Sequence, residues 1–157
     1  MKLLLRSLFW ALLCPGTVAL LCPYLILSTW ESPAIETWAF NQYAGLLLAA
    51  AGLAGLAWCI YYFATSGKGT LSPADPAKKL VTEGLYRYAR NPMYLSVLAV
   101  ILGEIFFFNS TFLVVYAALV FLAFHGFIVL YEEPYLHRTF GEEYHAYSEK
   151  VSRWLPG

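Results

Sequence analysis

Charge is what this 157-residue chain has least of. Lysine, arginine, aspartate and glutamate make up 13% of it and hydrophobic residues 60%, with a mean hydropathy of +0.59. A soluble domain is about a quarter charged and half apolar, and so large an excess cannot be hidden inside one small globule. A water-soluble protein is excluded on this ground, and an integral membrane protein is expected. No surplus of either sign exists, because ten basic residues face ten acidic ones; nothing in the balance favours nucleic acid. Cysteine is scarce as well. Cys14, Cys22 and Cys59 lie in apolar runs without C-x-x-C spacing, so they read as buried thiols, with neither a disulfide framework nor a metal site expected. Aromatic residues are plentiful at 18%, which suits membrane interfaces.

Four apolar stretches follow one another: Leu3 to Leu27, Tyr43 to Ala64, Met93 to Phe108 and Thr111 to Tyr131. Crossing the hydrocarbon takes about 20 helical residues; the first, second and fourth qualify and the third is short. The first opens like a secretory signal, but its run is too long and lacks an A-x-A site, so it is kept as a span. In the second, Gly45, Ala49, Gly52 and Gly55 fall near one helical face, the pattern of close helix packing. Only Asn109 and Ser110 separate the third stretch from the fourth, which requires a tight antiparallel hairpin. The expected fold is all-α: a single membrane domain of about four transmembrane helices plus a C-terminal interfacial amphipathic helix. In that helix Leu136, Phe140, Tyr144, Tyr147 and Val151 recur opposite Arg138, Glu142, Glu149 and Ser152. The connection from Glu31 to Gln42 has no lysine or arginine, whereas Thr65 to Pro92 holds Lys68, Lys78, Lys79, Arg87 and Arg90. The positive-inside rule then places both termini and the long loop in the cytoplasm, on an inner or plasma membrane.

Two segments concentrate the chemistry, Lys79 to Tyr94 and Tyr131 to Tyr147. Reflection about Asn109 and Ser110 puts residue n opposite roughly 219 − n, so His125 lies level with Tyr94, and to within about a helical turn the Arg90-Asn91-Pro92 entry sits near Tyr131, Glu132 and Glu133. Two arginines, an amide, two carboxylates, a histidine and several phenols therefore converge at one interface. Plainer readings stand beside this one. Arg87 and Arg90 suit positive-inside anchors, Tyr86, Tyr88 and Tyr94 an aromatic belt, Pro134 a helix start, and His125 a packed histidine. Glu104, a carboxylate deep in a span, is expected to be protonated and bonded to Tyr116 or a backbone group, because an unpaired charge there is costly.

The order of these residues carries a resemblance. "LVTEGLYRYARNPMY", a tight hairpin, then "EEPYLHRTFGEEYHAY" and a closing V-x-R-W-L-P closely resemble the isoprenylcysteine carboxyl methyltransferase and phospholipid methyltransferase group. The resemblance covers residues 78 to 156 and leaves two generic spans in 1–64. Gly84-Leu85-Tyr86-Arg87-Tyr88-Ala89-Arg90-Asn91-Pro92-Met93-Tyr94 follows the family pattern G-x-Y-x-x-x-R-H-P-x-Y, with Asn91 for the histidine and Ser96 where glycine is common. It implies an S-adenosylmethionine-dependent methyltransferase acting on a lipophilic or membrane-associated acceptor: a prenylcysteine-like carboxylate, a phospholipid amine or a small thiol. The cofactor would be met by Gly84, Tyr86, Arg90, Asn91, Tyr94, Glu132, Glu133 and Tyr144, with arginine on its carboxylate, glutamate on its ammonium or ribose, and tyrosine faces on its sulfonium. His125, with Arg87 and Arg90, would orient or deprotonate the acceptor. The competing readings are an NADPH-dependent reductase of the sterol-reductase-like group and a non-enzymatic lipid- or partner-binding membrane protein.

Overall fold

The computed structural model describes residues 13–31, 38–67 and 79–154. The start of the first apolar stretch, most of the acidic connection and the basic residues Lys68 and Lys78 lie outside the described residues. Those described form helices and turns, with no strand among them. Helix α1 runs over Leu13–Trp30, α2 over Phe40–Thr65, α3 over Pro92–Phe108 and α4 over Thr111–Phe127. A π turn at Ile128–Glu132 leads from α4 into α5, Glu133–Phe140. Helix α6, Glu142–Lys150, follows a break at Gly141. Three helical runs are long and apolar enough to cross a membrane: Leu13–Trp30, Phe40–Phe63 and Thr111–Phe140. Helix α3 is apolar but has only 17 residues, about 25 Å of rise.

The hairpin is built as its two residues demand. Asn109 takes the left-handed conformation (φ 55°) and closes α3, a geometry asparagine tolerates better than most residues. The Ser110 hydroxyl then accepts the Leu113 N–H at 3.1 Å and starts α4. Yet α3 packs most intimately on α2. A Cβ built on Gly103 would lie 2.6 Å from the Gly45 carbonyl and the Ala49 nitrogen, and one on Gly52 would lie 2.8 Å from the Ser96 carbonyl and the Val100 nitrogen. The small-residue face thus brings two backbones into contact, the gain in dispersion energy that drives helix association in lipid.

Proline shapes the other two long helices. In α1 the turn Thr17–Leu21 is π-helical, and the Cys22 N–H donates to the Thr17 carbonyl. The next donor in that pattern belongs to Pro23, which has no N–H, so the Val18 carbonyl is left for the Tyr116 hydroxyl, which donates to it at 2.7 Å. This corrects the expected bond from Glu104 to Tyr116 or a backbone group: Tyr116 is committed to α1, and Glu104 Oε2 is buried without a partner among the described residues. The same device recurs ahead of Pro134, where the Glu133 N–H donates to the Ile128 carbonyl. Pro134 therefore interrupts the hydrogen-bond ladder without ending the helix, and the C-terminal segment is two helical pieces. Its first piece, α5, continues α4; its second turns back at Gly141 (φ 52°, ψ −123°), a conformation open mainly to glycine.

The α2–α3 contact predicts a graded stability series. Gly103→Val should destabilise the protein by about 1–3 kcal/mol through overpacking. Gly126→Ala, where an added Cβ meets nothing within 4 Å, should stay within about 0.5 kcal/mol. Thermal unfolding in detergent measures both.

Candidate functional site

At the end of the α3–α4 hairpin remote from Asn109, the chain forms a partly open cleft with a cavity volume of about 60 Å³. Its polar wall comprises Lys79, Arg90, Asn91, Glu132 and Glu133 with the phenols of Tyr86, Tyr144 and Tyr147; its apolar wall comprises Phe63, Leu80, Val81, Leu136 and Phe140. Phe63 comes from the end of α2 and Lys79, Leu80 and Val81 from the stretch before a 3₁₀ turn at Gly84–Arg87; three further segments supply the rest. The 3₁₀ turn carries Tyr86. Arg90 and Asn91 stand just before α3, which Pro92 opens at a position needing no N–H. The α4–α6 segment brings the carboxylates and the remaining phenols.

Charge organises the polar wall. Arg153 donates from Nε and Nη2 to the two oxygens of Glu133, each at 2.8 Å. Arg90 Nη1 lies 3.2 Å from Glu133 Oε1 and donates to the Tyr144 hydroxyl at 3.1 Å. Its guanidinium also stands 6.0 Å from the centre of the Tyr144 ring, within reach of a cation–π attraction. Arg90 Nε is buried and has no partner among the described residues. Glu132 behaves differently from its neighbour: its Oε2 accepts the Tyr94 hydroxyl at 2.7 Å, and no guanidinium among the described residues reaches it. Tyr147 donates to the Tyr86 carbonyl at 2.6 Å, fastening α6 to the 3₁₀ turn. Burial pushes the phenols of Tyr86, Tyr144 and Tyr147 up from their usual range, with Arg90 opposing the shift at Tyr144. All three are neutral hydroxyls at physiological pH. The bond to Glu133 holds Arg153 above the usual arginine range, so it stays cationic.

Six of the residues expected from sequence line the cleft: Tyr86, Arg90, Asn91, Glu132, Glu133 and Tyr144. Tyr94 stands behind the wall and reaches it through Glu132. Gly84 lies beneath the turn with φ +61°, and a Cβ there would meet the Tyr62 ring at 2.9 Å and Trp58 Nε1 at 3.0 Å. His125 and Arg87 are set apart from the cleft, which corrects their expected convergence with it. His125 sits level with Tyr94 along the hairpin, as Tyr94 packs on Phe124 at 4.7 Å, but it faces another way: its ring stacks with Phe121 and Trp154, and Nδ1 accepts the Trp154 indole N–H at 3.3 Å. Arg87 is exposed at the end of the 3₁₀ turn. Arg153 was not singled out from sequence, although the closing V-x-R-W-L-P contains it. A lone arginine in a polar tail shows no partner until the tail is folded back.

Gly84 yields the next prediction. Gly84→Ala adds left-handed strain of about 1–2 kcal/mol to the contact with Tyr62. It should lower the unfolding temperature and loosen the Tyr86 wall, measured as faster amide hydrogen exchange across residues 84–88.

Comparisons with known proteins supply the family. The family described as phospholipid methyltransferase matches residues 40–143, a span that takes in α2, the 3₁₀ turn, Arg90, Asn91 and both glutamates and ends just before Tyr144. Two proteins of rice, from Oryza sativa subsp. indica and subsp. japonica, each named a probable protein-S-isoprenylcysteine O-methyltransferase, are 36% identical over 78 residues, covering 50% of this chain and 41% of theirs. An uncharacterised protein of Haemophilus influenzae is 35% identical over 63 residues, 40% of this chain and 100% of its own. The match to the rice proteins thus spans about two fifths of their length. No solved structure matches. With two thirds of its length inside the family match, the chain belongs to the phospholipid methyltransferase family.

Proposed function

We propose that the cleft binds S-adenosylmethionine and that the protein transfers its methyl group to a lipophilic acceptor drawn from the bilayer. One observation carries the reading. Arg90 offers a buried Nε donor with no partner, and Glu132 offers a carboxylate bonded only by Tyr94 among the described residues, both in one cleft. An amino-acid head group carries one carboxylate and one ammonium, and these two side chains are their complements. When bound, the cofactor supplies a methyl group on a sulfonium, whose C–S bond breaks as the acceptor nucleophile bonds to carbon, leaving a neutral thioether. The chain's part is positional. Tyr86, Tyr144 and Tyr147 present neutral aromatic surface, compatible with a cation, and Phe63, Leu80, Val81, Leu136 and Phe140 exclude water and suit an apolar acceptor.

The membrane setting follows the same reading. Helix α3 crosses with the three longer helices to make a four-span bundle, its short length compensated by local thinning of the bilayer. Helices α5 and α6 reach the cytoplasmic interface, where Leu136, Phe140, Tyr144 and Tyr147 turn inward and Arg138, Glu142 and Glu149 are exposed. The cleft and both chain ends face the cytoplasm of an inner or plasma membrane, so that a water-soluble cofactor and a membrane-held acceptor meet at one rim.

Calorimetry in detergent with S-adenosylmethionine, its demethylated product and NADPH tests the proposal. The first two should bind one per chain and NADPH should not. Glu132→Gln and Arg90→Ala should each weaken S-adenosylmethionine binding by about 2–5 kcal/mol, as truncating one partner of a desolvated charge pair does. Binding of NADPH alone would transfer the site to reductase chemistry, and binding of none of the three would leave a scaffold without this cofactor.

A further inference from the structure

The segment Ser152–Trp154 has no assigned task, yet Ser152 and Arg153 tie it to the cleft and Trp154 ties it to α4. The Ser152 carbonyl accepts the Arg90 backbone N–H at 2.9 Å. The Arg153 carbonyl accepts Asn91 Nδ2 at 3.1 Å, and its guanidinium grips both oxygens of Glu133. Trp154 donates to His125 and packs on Phe121 with ring centres 5.2 Å apart. These three residues form a strap from the beginning of α3 to the junction of α4 and α5.

We infer that Arg153 is a positioning residue of the cleft: it commits Glu133 to holding the strap, leaves Glu132 as the ligand-facing carboxylate, and through the strap's carbonyls fixes Arg90 and Asn91 in the wall. Its consequence for cofactor binding rests on the function proposed above; the division of labour between the two glutamates rests on geometry alone. An exposed ion pair would contribute little. Here the Glu133 and Arg90 side chains are 14% and 13% exposed and Arg153 is 32% exposed, and the bidentate fork adds direction to attraction. Both Glu133 oxygens are taken, so it has little left for a ligand, whereas Glu132 is bound through one oxygen only. The bond from Arg90 to Ser152 is equally specific: it holds the backbone of a residue whose side chain lines the cleft. Were the strap to detach, Arg90 would lose this anchor and Asn91 the acceptor of its amide.

The test uses the full chain in detergent with Arg153→Ala, Arg153→Lys and Glu133→Gln. Hydrogen exchange without ligand reads the strap directly: the Arg90 amide should exchange faster by about tenfold or more in Arg153→Ala and Glu133→Gln, as loss of a charge-assisted bond implies, with part of the protection restored in Arg153→Lys. Calorimetry with S-adenosylmethionine reads the consequence. The Kd should rise about tenfold or more in Arg153→Ala with one site per chain retained, and lysine should recover part of it. A purely structural role would instead reduce the number of competent sites while leaving their Kd unchanged, and that result overturns the inference, as does unaltered exchange at Arg90. If the parent itself fails to bind S-adenosylmethionine, the proposed function falls, and the exchange measurement alone decides whether Arg153 positions the wall.

Discussion

Glu133 is the residue on which the rest of the cleft depends. A carboxylate at the rim of an apolar bundle is costly unless its charge is met and its oxygens are bonded. Two guanidiniums meet it: Arg90 just before α3 and Arg153 in the tail. Satisfying it therefore dictates the route of the chain. Helix α5 cannot run on into solvent, because the second guanidinium lies 20 residues beyond Glu133 and must return to it. Gly141 supplies the reversal, α6 carries the chain back over the 3₁₀ turn, and Tyr147 pins it to the Tyr86 carbonyl. Arg90, Arg153 and Glu133 sum to one excess positive charge, which leaves the wall receptive to an anion.

A second constraint reaches the cleft from within the bundle. Because Gly45, Gly52 and Gly103 allow α2 and α3 to touch through their backbones, the far end of α2 is carried to the loop before α3. There Trp58 and Tyr62, stacked at 6.3 Å, lie under Gly84 and leave no room for a side chain on it. The glycine is needed twice, for its positive φ and for its missing Cβ. Helix packing in the spans thus sets the height of the turn that presents Tyr86 to the cleft.

These origins explain which parts were legible in the sequence. The hairpin was, because a two-residue turn and a fixed helical rise convert sequence distance into depth; Arg90 meets Glu133, and Tyr94 packs at the level of His125, as that arithmetic requires. Depth, however, says nothing of direction around the helix axis. Each residue turns the helix by about 100°, so the π turn ahead of Pro134 rotates everything beyond it by an amount no apolar pattern reveals. His125 accordingly points at Trp154 while Glu132 and Glu133 point into the cleft. Bonds to main-chain carbonyls were hidden for a related reason. Neither Val18 as the acceptor for Tyr116 nor Ser152 as the acceptor for Arg90 leaves a side-chain signature, so the missing N–H of Pro23 and the return of the tail had to be seen in the fold.

Asn91 brings these strands together. The resemblance places a histidine at this position, and a titratable group is what its replacement removes. In the fold, though, the Asn91 amide donates to the Arg153 carbonyl, a bond that needs a neutral donor of modest reach and no proton to give away. An imidazole N–H is another such donor, so asparagine preserves the tie to the strap while discarding the ionisation. That exchange is tolerable only if the chemistry beside it takes no proton from this residue. Transfer of a methyl group from a sulfonium meets the condition, because the leaving thioether is neutral and needs no acid. The substitution that departs most visibly from the family pattern is therefore the one its structural role and the proposed reaction can both accommodate.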